Sequence, residues 1–176
     1  LKTNPETQLF INISAQSFAD SEFLPWLQKA LSVSKLPPNA LIFQFREIDA
    51  VRYLNQAAAL CEEMKKAKGQ VGISNFGLAI NPLKTLERVK ADFVKIDRLI
   101  VEKLANAGQG NTPDQSKEEF QKIMGGMTGT GVDVIVPFVE TAAIIPILWQ
   151  QGVQYIQGHY INQPSFTMDY DFSEGP

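Results

Sequence analysis

One cysteine, Cys61, and one histidine, His159, are all the chain has of either type. A single thiol excludes an internal disulfide and any metal site built from several cysteines; within AAALCEEMKK it reads as a buried or half-buried helix residue. A single imidazole with no cysteine beside it makes neither a zinc site nor a nucleophile and base pair, so His159 reads as a surface or loop residue. Basic runs are scarce too: none exceeds Lys65 and Lys66, and 16 Lys and Arg stand against 19 Asp and Glu, a formal charge of -3. Non-specific binding to nucleic acid draws on a basic face, so DNA and RNA are not expected as partners. A small anionic nucleotide stays compatible, because local donors decide that contact. No apolar run reaches the roughly 18 residues of a membrane span, and the opening LKTNPETQ has no signal-peptide pattern. With cysteine usage that suits a reducing compartment, this leads us to expect a cytoplasmic protein without membrane insertion.

What is present is a repeating pattern. The 176 residues are 44% apolar, enough for one core and one domain. Short apolar strands are predicted at 9–13 (LFINI), 40–45 (ALIFQF), 70–74 (QVGIS), 91–97 (ADFVKID), 131–136 (GVDVIV) and 153–157 (VQYIQ), with helical stretches between most neighbours. In the second strand Phe43 and Phe45 share one face, Ile42 and Gln44 the other. The clearest helix runs from Asp49 to Lys68, with Leu54, Ala58, Cys61 and Met64 toward the sheet and Gly69 as its C-cap. Another follows Asp20 or Ser21 as N-cap, a third covers 117–128, and Asn106 to Ser116 form a polar connection. The run GGMTGTG lacks a Lys and precedes a strand, so it is not a phosphate loop.

This alternation specifies an α/β protein with a parallel sheet. A closed eight-stranded barrel needs about 250 residues, so six units amount to roughly three quarters of one; an open doubly wound sheet fits the periodicity equally well. The chain opens almost directly on a strand, from which we expect it to be part of something larger.

Parallel strands gather their C-terminal ends into one mouth. Those ends offer Asn12 and Ser14, Gln44 and Glu47, Ser74 and Asn75, Lys95 and Asp97, Phe138 and Glu140, and Gln157. Polar groups recurring at the same place in successive units point to a shared binding site. Amides and a hydroxyl suit a base or sugar, whereas divalent-metal hydrolysis wants several converging carboxylates. Lys95 fits a phosphate or an internal pair with Asp97, and Phe138 fits a stacked purine or the core. Glu47, Asp97 and Glu140 fit either ligand contacts or hydrogen bonds to loop amides.

Six motifs, in order, resemble the EAL domain family: FINISA for N-x-S-A, LIFQFRE for L-x-x-E-x-x-E, GISNFG for D-D-F-G, FVKIDR for K-I-D-R, PFVET for E-G-V-E-T and YIQGHYINQP for Q-G-Y-x-x-x-x-P. The resemblance implies a modified (β/α)8, TIM-like barrel, of which residues 1–164 would be the C-terminal three quarters and 165–176 a tail that packs on the domain or leaves it. It implies cyclic di-GMP as ligand and adds Gly158 and Pro164 to the binding residues.

Four positions depart from the family pattern. Gln44, Ser74 with Asn75, and Pro137 stand where active members have carboxylates around two divalent metals. The chain is most similar to a degenerate branch of the family that serves type IV pilus biogenesis and twitching motility. That likeness implies a receptor for cyclic di-GMP that is not an enzyme, with no catalytic residue, metal or cofactor. Its ligand set is Asn12, Gln44, Glu47, Asn75, Lys95, Asp97, Phe138, Glu140, Gln157, Gly158 and Pro164. It further implies a PilZ-type adaptor protein as partner and a degenerate GGDEF domain upstream in the parent chain. The alternatives are an enzyme that opens the cyclic dinucleotide and a ligand-free interaction domain derived from a phosphodiesterase.

Overall fold

The structure, a computed structural model, describes residues 7–106 and 115–167. Most of the predicted polar connection and most of the tail lie outside these residues. Six strands form one parallel sheet: β1 (Leu9–Asn12), β2 (Leu41–Arg46), β3 (Gln70–Phe76), β4 (Phe93–Ile96), β5 (Asp133–Val136) and β6 (Tyr155–Ile156). Their spatial order is their chain order, and every neighbouring pair is parallel. A doubly wound sheet reverses its strand order partway; this one never does, which decides for the barrel.

The sheet is curled. β1 and β4 are separated by two strands, so on a flat sheet their side chains would be about 14 Å apart. Instead the Phe10 and Phe93 rings meet edge to face with centroids 6.0 Å apart, and Phe93 reaches Tyr155 at 6.5 Å. The concave face thus carries Phe10, Ile42, Phe93, Ile135 and Tyr155. The convex face, with Phe43, Phe45, Val71, Ile73, Val94 and Val136, packs under the helices as the main core. Strand alternation therefore placed the residues of β2 correctly: Phe43 and Phe45 are in the helix-covered core, Ile42 on the concave face.

The helices are α1 (Ala15–Ala19), α2 (Phe23–Ser34), α3 (Glu47–Arg52), α4 (Leu54–Lys66), α5 (Pro82–Val89), α6 (Arg98–Asn106), α7 (Gln115–Met127) and α8 (Ile145–Gln150), the last entered through a 3-10 turn at Ala142–Ile144. Three local expectations need correction. The long second helix starts at Glu47 and breaks at Tyr53, whose φ of -120° and ψ of 47° leave the helical region. Its apolar stripe is Ala57, Leu60, Cys61 and Met64, with Ala58 half-buried. Its end is a paired C-terminal motif in which Lys68, not Gly69, takes the left-handed conformation (φ 55°). The Lys68 amide donates to the Lys65 carbonyl at 3.1 Å and the Gly69 amide to the Met64 carbonyl at 2.8 Å. At α2 the Asp20 carboxylate accepts from the Glu22 amide at 2.9 Å, so it fixes the entry turn while Glu22 holds the N-cap place. β6 is shorter than predicted, because the Val153 amide donates to the Leu148 carbonyl of α8 at 3.1 Å and not to the sheet. Cys61 is buried as expected, and burial pushes its thiol up to about 12, far from the thiolate form.

The last strand is locked to β5 by a close approach. The Val139 amide donates to the Gln157 carbonyl at 3.0 Å and the Val139 carbonyl accepts from Tyr160 at 3.1 Å. A Cβ on Gly158 would overlap the Val139 backbone itself. Gly125, on α7, has no neighbour within 4 Å of a built Cβ. Gly158→Ala should therefore cost about 1–3 kcal/mol through overpacking, whereas Gly125→Ala should raise stability by roughly 0.5–1 kcal/mol. Thermal unfolding of the two variants checks the opposite signs.

Candidate functional site

The strand ends converge on a cavity of about 480 Å³. Asn12, Gln44, Asn75, Lys95, Phe138, Glu140, Gln157, Gly158 and Pro164 all line it, which brings together nine of the residues expected from the sequence. On one wall the Gln44 side-chain amide donates to Asn12 Oδ1 at 2.7 Å, tying the ends of β1 and β2. Gln44 still presents its carbonyl oxygen, and Asn12 its amide protons, for further bonds.

Lys95 is half-buried on the concave face of β4. Its ammonium lies 4.7 Å from the centroid of the Phe10 ring, reaching across the arc of the sheet. Among the described residues it takes part in no salt bridge: the pairing with Asp97 considered from the sequence does not form. Burial lowers its pKa because the charged form loses water without gaining a carboxylate. An accessible anion in the mouth would restore that balance.

Phe138 is 44% exposed. Its backbone is left-handed, with φ 59°, a costly conformation for an aromatic residue. The Arg98 guanidinium stands 5.0 Å from its ring centroid. Arg98, His159 and Asn162 also line the cavity and were missed from the sequence. For Arg98 a signal existed: it directly follows the strand-end VKID, so the first turn of the next helix shares the strand's outlook. His159 is exposed, as expected, and its place beside Gly158 puts it at the rim.

Two expected ligand residues stand elsewhere. Glu47 is 2% exposed, and its Oε2 accepts the amides of Gly77, Leu78 and Ala79 at 3.1, 3.1 and 3.0 Å. Asp97 is 7% exposed and accepts from the Leu99 amide at 2.8 Å and the Asn75 side chain at 3.1 Å. Both carboxylates hold loops, and both border a larger apolar groove of about 970 Å³ with Ile48, Val51, Leu78 and Ile80. Glu47 Oε1 is buried with no partner among the described residues.

The mouth's own donor set does not fit a pair of divalent cations. Among the described residues no three His, Cys, Asp or Glu side chains are grouped to hold a metal ion. At the four departing positions stand two amides, a hydroxyl and a proline, leaving Glu140 as the one carboxylate among the described residues that line the cavity.

A model of the EAL domain family matches residues 1–164. The crystal structure of the FimX EAL domain from Pseudomonas aeruginosa bound to c-di-GMP is 38% identical, with a TM-score of 0.84; the match covers 95% of this chain and 66% of that one. Cyclic di-GMP phosphodiesterase PdeB of Shewanella oneidensis is 23% identical over 160 residues, 91% of this chain and 18% of the relative. Cyclic di-GMP phosphodiesterase PdeF of Escherichia coli is 24% identical over 165 residues, 94% of this chain and 21% of the relative. The chain spans about a fifth of the length of these curated relatives. The resemblance read from the six motifs is borne out in family and fold, and the further likeness to the pilus-associated branch is matched by the FimX EAL domain.

The expectation that the chain is not an enzyme is overturned by the same comparisons. Relatives matched over more than nine tenths of the chain are phosphodiesterases by name. The inference failed because it treated four residue types in one stretch as the whole donor set. Activity belongs to the whole protein, and hydrolysis of cyclic di-GMP is an activity compatible with this family scaffold.

No membrane-crossing helix was expected, and none of the described helices is long and apolar enough for one. The buried Glu47 carboxyl yields a pH signature. Burial raises its pKa, against the three amides that lower it. A raised carboxyl holds its proton more tightly folded than unfolded, so its contribution favours the folded state at low pH and is lost as pH rises through the raised value. The stability of the wild type relative to Glu47→Gln should therefore fall as pH climbs through and above the ordinary carboxylate range. Glu47→Ala should lose about 2–3 kcal/mol by stranding the loop amides. Urea unfolding at a series of pH values reads both; a pH-independent difference would contradict the assignment.

Proposed function

The chain belongs to the EAL domain family, and from that premise we propose that the mouth at its strand ends binds cyclic di-GMP as the input of a signalling protein. The observation that carries this reading is the half-buried Lys95 cation, without a salt-bridge partner among the described residues, in a cavity that also presents side-chain amides, the Arg98 guanidinium, the Glu140 carboxylate and the exposed Phe138 ring. A cyclic dinucleotide has the matching parts: two phosphodiester anions and two purines.

In this reading Lys95 meets a phosphate, with the Asn12 and Gln44 amides beside it supplying neutral hydrogen bonds. Phe138 offers its ring to one guanine by stacking, and Glu140 accepts from the guanine edge. Gln157, Gly158 and Pro164 form the opposite wall, and Asn75, held by Asp97, closes the rim. The FimX domain, solved with c-di-GMP bound, supports the same ligand for a chain 38% identical to it. A role in type IV pilus assembly or twitching motility, a PilZ-type adaptor, an upstream degenerate GGDEF domain and a cytoplasmic place complete the proposal; the last rests on the cysteine usage, the others on the motif resemblance. The division into a domain over 1–164 and a tail from 165 rests on that resemblance too.

Calorimetric titration of the protein with cyclic di-GMP in EDTA should give a dissociation constant in the micromolar range or tighter. Phe138→Ala should weaken it by about five- to 150-fold, the equivalent of roughly 1–3 kcal/mol for one stacked base. Lys95→Met should weaken it while leaving the melting temperature unchanged or higher, since it removes a half-buried cation. Absence of heat from the wild type would overturn the proposal. Incubation with magnesium or manganese and chromatography for the linear dinucleotide reads the phosphodiesterase activity separately.

A further inference from the structure

We propose that Arg98 is a positioning residue for base recognition: its guanidinium backs the Phe138 ring and holds it as a fixed platform inside the mouth. The inference rests on the reading of Phe138 as a base-stacking residue and assigns the part of its partner.

Arg98 is the first residue of α6, where a cation is on the wrong end of the helix dipole. Such a residue needs compensation, and one ion pair and one nearby charge supply it. Glu102, one turn along the helix, accepts from Arg98 Nε. Glu140, two residues beyond Phe138, attracts it as well. The place of α6 is itself fixed from below, because the buried Asp97 carboxylate takes the Leu99 amide at 2.8 Å. The guanidinium thus has a defined address, and at that address it stands 5.0 Å from the Phe138 ring centroid.

Phe138 has the complementary need. Its backbone sits at φ 59° between Pro137 and Val139, and Val139 is fully buried with its amide and carbonyl both bonded. The backbone is over-determined, while the residue is left 44% exposed. A planar guanidinium over one face restricts the ring's rotamers and leaves the other face for a flat partner. Ordering the ring before the ligand arrives removes part of the entropy cost of binding. Arg98 therefore contributes to affinity through Phe138 and not by contact with a phosphate.

The test is a double-mutant cycle in the full-length protein, titrated with cyclic di-GMP, with melting temperatures showing that each variant is folded. Arg98→Gln should weaken binding about two- to fivefold, the size of an exposed cation–aromatic contact, and should have no further effect once Phe138→Ala is present. In the ligand-free protein the Arg98 Nε–H resonance should carry a ring-current shift that Phe138→Ala abolishes. Equal weakening by Arg98→Gln in both backgrounds would make Arg98 a direct phosphate contact and overturn the inference while leaving ligand binding intact. A wild type that binds no cyclic di-GMP would overturn the functional reading and this inference together.

Discussion

Half-burying the Lys95 ammonium costs free energy that no salt bridge among the described residues returns, and the curl of the sheet is what makes that position tolerable. Phe10 comes from β1 and Lys95 from β4, so their 4.7 Å contact exists only because two intervening strands bend the sheet into an arc. A cation over an aromatic face gains about 0.5–2 kcal/mol depending on desolvation. That is enough to hold the ammonium in place and too little to neutralise it. The concave face of the barrel therefore positions a charge and leaves it available. The same arc joins Phe10, Phe93 and Tyr155, so one apolar row supports both the curvature and the site above it.

The carboxylates are distributed to opposite effect. Glu47 and Asp97 both sit where a strand gives way to a helix or loop, surrounded by amides whose bonds have no backbone acceptor. Each turns to those amides: three for Glu47, one plus the Asn75 side chain for Asp97. Buried acceptors and unpaired loop donors satisfy one another, and the loops that border the mouth are fixed as a result. With those two negative charges engaged outside it, the cavity is lined by amides, Lys95, Arg98 and the single carboxylate of Glu140. Hydrogen-bond satisfaction in the loops thus sets the electrostatic character of the site.

This also marks where sequence reading works and where it stops. The period-two alternation of β2 is local, and it sorted Phe43 and Phe45 from Ile42 correctly; six such segments carried the parallel sheet. Strand ends are local too, which is why eight of the strand-end candidates do line one cavity, where Gly158 and Pro164, expected from the resemblance, join them. The direction of the Glu47 side chain depends on amides thirty residues later and has no local signal. The break at Tyr53 and the left-handed Lys68 are similar: tertiary packing overrides helix propensity in one, and a polar residue accepts a backbone state usually given to glycine in the other. The enzyme question lay beyond local reading for a different reason. Residue types at four places describe donors in this stretch, while activity is a property of the whole protein.

Phe138 joins these lines. The family motif at this place reads E-G-V-E-T, with glycine where this chain has phenylalanine, and the backbone retains a conformation that glycine adopts freely. Keeping an aromatic residue at φ 59° costs of order 1–3 kcal/mol, and the ring gains little core burial in exchange because it is 44% exposed. The Arg98 contact, at about 0.5–1 kcal/mol for an exposed pair, offsets only part of that cost. The buried Val139 and the locked β5–β6 junction hold the backbone regardless. A conformational cost carried by the unliganded fold, at a residue aimed into a cation-bearing cavity, has its natural counterweight in a stacked base worth roughly 1–3 kcal/mol. The strain at Phe138 and the charge at Lys95, unpaired among the described residues, both favour the proposed ligand, one that is planar and anionic.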